Sequence, residues 1–352
     1  MGPQEAYTKR IRREAMKISV ALMSFYAVNL FVTAVITVVF MLINYDLGTL
    51  ASAGTAGTLS PTYSDITDSL PWGWLSIAGL LSGSFMLLIV RGTRLFTKDL
   101  TKTSSKIHLP DYLKLIALIL GVNALISLGQ LLLTVILQNA GSPIGGGEDI
   151  FAKYFMNGPG LLYVVLLGPI IEEVIFRGAI LRSLEPFGQN FAIVVSSLLF
   201  GLYHLILFQG IFAFFIGLVL AYCALRFSIK WSMLLHMLNN GYAMLMTYLD
   251  PSTGITAGIF LLLLALGLLS FVLGFPKLRL QMRQGKPTEL CRAAQTPLIP
   301  SNFVPWDPRL TTYIKRTLAI KPRPFKLTFS SAWIIVALSL ATFFTLINSL
   351  VI

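Results

Sequence analysis

The stretch Gly168-Pro169-Ile170-Ile171-Glu172-Glu173-Val174-Ile175-Phe176-Arg177-Gly178 decides how this chain is read. It puts two adjacent carboxylates and a guanidinium inside a run that is otherwise apolar and long enough to cross a bilayer. Ionisable groups at membrane depth cost roughly 2.5 kcal/mol or more each, so they face a protein interior or a wet cavity and mark function. Glu173 and Arg177 stand four residues apart, carboxylate first, the favourable order for an ion pair along a helix. The spacing predicts a buried pair that orients the helix. Glu172 is turned about 100° from Glu173, so the two carboxylates do not address one centre equally, and Glu172 is left as the free one.

Composition sets the same frame for the rest of the chain. Its 352 residues are 55% hydrophobic and only 12% charged, and the mean hydropathy is +0.77. That balance describes a polytopic membrane protein rather than two soluble domains. The fold expected is all-α, a transmembrane helix bundle. Apolar runs of spanning length fall at 18–43, 72–90, 115–138, 159–182, 190–208, 211–226, 231–249, 256–275 and 329–352, about nine spans. With the N-terminus cytoplasmic and the C-terminus outside, every Lys and Arg except Lys153 lies at or toward the cytoplasmic side, as the positive-inside rule requires. The net charge of +12 therefore reflects topology and anionic lipid, not nucleic acid. Cys223 and Cys291 fall in regions that do not share a compartment, so no disulfide framework is implied.

Three blocks follow from this pass. Residues 1–158 carry three spans and their loops, with a basic start (Lys9, Arg10, Arg12, Arg13, Lys17) and an uncleaved first span. That span exceeds the 7–15 residues or so of a signal peptide's apolar region. The loop 44–71, free of Lys and Arg, reads as a flexible outer loop. In the third span, Asn123, Ser127 and Gln130 are of the kind that hydrogen-bond between membrane helices. Residues 159–250 hold four spans, the fifth and sixth joined at Gln209-Gly210 in a tight hairpin. Residues 251–352 hold two spans around a basic cytoplasmic segment, 276–328. There Asp307-Pro308 opens an amphipathic helix with Leu310, Tyr313, Ile314 and Leu318 on one face.

The chain has 3 histidines, and two of them, His204 and His236, are intramembrane. They join Glu172 and Glu173 as candidates for one site. His236 and Asn240 share a helix face, as do Phe200 and His204. At about 1.5 Å per residue, Glu172 lies about 15 Å from Arg182, Asn240 about 15 Å and His236 about 9 Å from Lys230, and His204 about 21 Å from Asn190, depths that bracket the midplane without coinciding. A desolvated carboxylate suits a general base for water. Glu172 with His204 would activate that water, and His236 with Asn240 would donate to the oxyanion of a tetrahedral intermediate. That constellation points to hydrolysis of an amide bond without a serine or cysteine nucleophile.

These residues resemble the CAAX protease and bacteriocin-processing family of intramembrane endopeptidases (CPBP, or Abi), which includes the type II CAAX prenyl endopeptidases. The family pattern of Glu-Glu-x-x-x-Arg, Phe-x-x-x-His and His-x-x-x-Asn stands here as Glu172-Glu173-Val174-Ile175-Phe176-Arg177, Phe200-Gly201-Leu202-Tyr203-His204 and His236-Met237-Leu238-Asn239-Asn240. The resemblance covers roughly 159–250. It implies Glu172 and His204 at the water, His236 and Asn240 at the oxyanion, and Glu173 and Arg177 as structural partners. It also implies a peptide or a prenylated or lipidated protein as substrate. The family has been described as metal-dependent, and Glu172, His204 and His236 would be the zinc ligands. No His-Glu-x-x-His helix is present, which favours hydrolysis without a cofactor.

Three rival readings remain. The polar groups could be interhelical glue or a proton relay in a transporter, though no paired broken helices or repeated halves support the latter. A family member acting as an adaptor or immunity protein, without cutting, is the main alternative. An integral multi-pass location is expected, in a bacterial plasma membrane or, alternatively, the endoplasmic reticulum.

Overall fold

The basic start and the first apolar run form one helix in the computed structural model, α1 (Pro3–Asn44). The structure describes residues 3–56, 65–66, 68–85, 88–139, 155–204, 207–249 and 254–284. α1 begins well ahead of residue 18 because the basic segment carries its own helical stripe. Tyr7, Ile11, Ala15 and Ile18 are buried, while Lys9, Arg10, Arg12 and Arg13 on the other faces are exposed. The Tyr7 ring meets Phe187 edge-on at 5.6 Å, which ties the N-terminal turns to the far side of the bundle. From Leu30 on, Leu30, Phe31, Val35, Val39 and Ile43 form an exposed apolar face, while Thr33 still lies against Gly79. Such a face suits lipid.

The outer loop 44–71 departs from the expected flexible connection. It contains a helix, α2 (Leu47–Ala56), started by the Asp46 carboxylate, which accepts the Thr49 N–H at 2.9 Å. This is the orphan donor that an N-terminal cap satisfies. The second apolar run carries α3 (Trp72–Ser84) and the short α4 (Leu88–Arg91). The loop that follows is pinned down. Arg91 grips Asp99 with a two-pronged contact of 2.7 and 2.6 Å, Lys102 reaches Glu185 at 3.1 Å, and Ser105 donates to the Arg226 carbonyl at 2.6 Å.

After α5 (Leu109–Asn139) the chain enters a helix that is not regular. α6 (Gly158–Leu161), α7 (Gly168–Glu173) and α8 (Arg182–Leu184) are separated by two π-helical stretches, Leu162–Leu167 and Val174–Leu181. The fourth span is therefore a composite, with the carboxylates at the boundary between an α turn and a π turn. Wide turns of this kind insert extra residues per turn and recur at functional sites.

α9 (Gln189–Tyr203), α10 (Leu207–Arg226), α11 (Ile229–Tyr248) and α12 (Gly254–Gln284) complete the described bundle. The expected junction at Gln209-Gly210 is corrected: both residues lie inside α10, and α9 ends at Tyr203. Gly210 serves a crossing rather than a turn. A Cβ on Gly201 would stand 2.6 Å from the Gly210 carbonyl oxygen, so these backbones touch as small residues allow in membrane bundles. A second crossing joins α5 to α12, where a Cβ on Gly121 would stand 2.3 Å from the Gly267 Cα.

Among the described residues the architecture is all-helical, with a lone bridge between Thr103 and Ser228. Four helices there are long and apolar enough to cross a membrane: Glu5–Asn44, Trp72–Arg91, Leu109–Leu132 and Gln209–Arg226. Gln189–Tyr203 and Ala257–Leu273 are shorter apolar helices. The expected spans at 18–43, 72–90, 115–138 and 211–226 correspond to these four helices, the fourth expected run is divided into segments, and the run 329–352 lies outside the described residues. The amphipathic helix from Asp307, the span 329–352 and Cys291 lie outside the described residues, while 276–284 simply extends α12. Cys223 is a buried free thiol.

Gly201→Val is expected to force α9 from α10 and to destabilise the protein by about 1–3 kcal/mol, the usual cost of overpacking. Gly129→Ala, at a glycine with nothing within 4 Å, is expected to be tolerated. Thermal unfolding in detergent checks both.

Candidate active site

The site is built around an ion pair sealed from solvent. Glu173 and Arg177 are both 0% exposed and lie 3.1 Å apart, Oε1 to Nη1, as their spacing predicts. Removing both charges from water is costly unless other partners complete the arrangement; Glu173 is well supplied, while Arg177 Nε and Nη1 make no hydrogen bond among the described residues. Arg177 donates through Nη2 to the Gly217 carbonyl at 3.2 Å, and its guanidinium lies 4.3 Å from the centre of the Phe200 ring. The guanidinium lies against the glycine itself: a Cβ on Gly217 would come within 3.3 Å of Nη2.

Glu173 has further partners from α11. Ser232 places its hydroxyl 2.5 Å from Glu173 Oε2 and 2.9 Å from the Leu220 carbonyl, two acceptors sharing one proton. His236, one turn on, sets Nδ1 3.2 Å from Glu173 Oε1 and Nε2 3.7 Å from Glu172 Oε2. The two carboxylates thus address the same ring unequally. An imidazole offers nitrogens on two sides, so one ring lies between two carboxylates that diverge along their helix. The shorter contact goes to Glu173. With Nδ1–H given to Glu173, a neutral ring presents the Nε2 lone pair toward Glu172, and only a doubly protonated ring donates from both nitrogens.

Glu172 is 8% exposed. His204 stands immediately after α9, and Nδ1 donates to the Phe200 carbonyl at 2.9 Å. Its Nε2 is thereby left for other partners. Phe200 is the hub of the group: besides Arg177, its ring meets His204 at 4.9 Å and His236 at 5.6 Å, both edge-on. Asn240 is half-buried and is held by Val164, whose carbonyl accepts from Nδ2 at 2.9 Å.

Some members of this site are not in the motifs. Ser232 lies four residues before His236, a signal present in the spacing Ser232, His236, Asn240. Tyr26 is different, since it comes from α1 and donates to the Tyr203 carbonyl at 2.8 Å. It thereby satisfies one of the orphan acceptors at the end of α9, next to His204. No local pattern points to it.

Among the described residues, no three His, Cys, Asp or Glu side chains converge so as to hold a metal ion.

Residues 155–242 match the family model described as type II CAAX prenyl endopeptidase Rce1-like. The segment carrying the site is thus similar to a prenyl endopeptidase family, in agreement with the resemblance carried by the three motifs. No curated protein and no solved structure matches the chain.

Arg177→Ala leaves Glu173 buried without its cation and is expected to cost about 3–5 kcal/mol of stability, the usual price of halving a buried pair. Arg177→Lys is expected to recover only part of this, because an ammonium does not reproduce the planar stack on Phe200. Chemical or thermal unfolding of the purified variants measures both.

Proposed function

We propose that this protein is an intramembrane endopeptidase that hydrolyses a peptide bond in a membrane-associated or lipidated substrate. The observation that carries the reading is the Glu172–His236–Glu173–Arg177 array, enclosed in apolar surroundings and lying within the segment 155–242 that matches a protease family.

In this reading Glu172 takes a proton from a water that also contacts His204 Nε2, and the hydroxide formed attacks the substrate carbonyl carbon. The oxygen, now negative, accepts hydrogen bonds from Asn240 Nδ2 and from His236 Nε2 in its protonated form. Glu172 returns the proton to the amide nitrogen as the C–N bond breaks, releasing an acid and an amine. Glu173 fixes the His236 ring through Nδ1, Arg177 and Ser232 fix Glu173, and the Phe200 ring backs Arg177. The apolar wall excludes bulk water, which strengthens each of these interactions.

The finer topology belongs to the same proposal: about nine spans, a cytoplasmic N-terminus, and 159–250 as the catalytic core between 1–158 and 251–352. The exposed basic residues of α1 and the inner loops favour the side facing anionic lipid. A bacterial plasma membrane is the location assigned, with a peptide or prenylated protein as partner and no nucleic acid.

The test is cleavage by purified protein in lipid nanodiscs of a peptide panel, with and without C-terminal prenylation. Wild type is expected to cleave at least one member. Glu172→Ala and His204→Ala are each expected to lower kcat by about 10²-fold or more. Equal rates in all three proteins would remove the assignment. Activity is also expected to persist after exhaustive chelation; loss on chelation with recovery on added zinc would replace the metal-free scheme.

A further inference from the structure

The bundle contains a chain of amide hydrogen bonds that the motifs do not include. Asn123, in α5 and buried, spends one Nδ2 proton on the Ile119 carbonyl of its own helix and the other on Asn239 Oδ1, across to α11. Asn239, also buried, donates through Nδ2 to Asn240 Oδ1 at 3.2 Å. Asn240 in turn donates through Nδ2 to the Val164 carbonyl at 2.9 Å. The chain has one direction throughout. Asn123 has no proton left to change partner, so Asn239 must face it with oxygen and turn its NH₂ onward. Asn240 must then accept on oxygen, and its NH₂ is directed with one proton on Val164 and one free.

We infer that Asn123 is a positioning residue for Asn240: it sets which end of the Asn240 amide faces the reaction centre. The inference rests on the role given to Asn240 above. An amide turned by 180° would present a carbonyl oxygen to the oxyanion, replacing a stabilising contact with a repulsive one. Neither Asn123 nor α5 lies in the segment 155–242, so the control comes from outside the family-matched core. Polar networks of this kind act as units, and coupling between members is what separates relay from mere packing.

Asn123→Asp keeps the shape but can only accept, which reverses the chain. Asn123→Ala removes the donor and is the variant to read if a buried carboxylate prevents folding. Each is expected to lower kcat about 10-fold or more with KM nearly unchanged, as for a contact made in the transition state. In an Asn240→Ala background, itself slowed about 10²-fold, the same changes are expected to have almost no further effect. Asn240→Ala at the wild-type rate would overturn the oxyanion reading and the relay together. A slow Asn240→Ala beside Asn123 variants at the wild-type rate would overturn the relay alone. Equal losses from the Asn123 changes in both backgrounds would make Asn123 a support of the bundle only. A readout independent of cleavage is the side-chain NH₂ signals of ¹⁵N-asparagine-labelled protein. Substituting Asn123 is expected to shift those of Asn239 and Asn240 together, and an unmoved Asn240 signal overturns the relay.

Discussion

The buried pair of Glu173 and Arg177 is the constraint on which the site depends. Two opposite charges removed from water lose several kcal/mol each in hydration, and their mutual attraction offsets this only when the remaining hydrogen-bonding positions are filled. Here partners come from three other helices: the Gly217 carbonyl on α10 and the Phe200 ring on α9 for Arg177, and Ser232 with His236 on α11 for Glu173, while Arg177 Nε and Nη1 make no hydrogen bond among the described residues and rely on the charge of Glu173 and the ring. The requirement to satisfy one ion pair thus fixes the relative placement of four elements. Glu172 inherits its position from the neighbour that satisfies it, since one residue of backbone separates the anchored carboxylate from the free one.

The wide turns on either side of that dipeptide belong to the same economy of space. A regular helix from Gly158 to Leu184 would carry every side chain at a fixed phase. Two π-helical stretches, Leu162–Leu167 and Val174–Leu181, change the phase before and after the carboxylates. Arg177 still reaches Glu173, while the surrounding apolar residues Ile175, Phe176 and Ile180 remain buried. Departures from regularity at functional positions are where local preference yields to a tertiary demand.

Much of the site was legible in the chain before any coordinates, for a reason of cost. Charged and imidazole side chains are rare in apolar runs because lipid penalises them, so Glu172, Glu173, Arg177, His204 and His236 stood out at once, and their spacing supplied the Glu173–Arg177 pair. Asn123 was legible as an interhelical hydrogen-bonding residue by the same logic. What escaped was whatever depends on long-range geometry. Tyr26 is an ordinary aromatic until α1 places it at the end of α9. Gly210 resembles a turn residue until Gly201 is found against it. The π turns leave no mark in a pattern of apolar residues, since Leu, Ile and Val fit either helix, and the long basic start of α1 hides a buried stripe among its charges.

The hydrogen bond from Tyr26 to the Tyr203 carbonyl has a bearing on separability. The segment that resembles a protease is not a self-sufficient body. Excised from the chain it would leave the carbonyl at the tip of α9 without a donor and uncover the face of Tyr203 that packs on Phe25 at 5.6 Å. In this molecule the smallest unit able to hold the site's side chains in place is larger than the stretch that the family model matches.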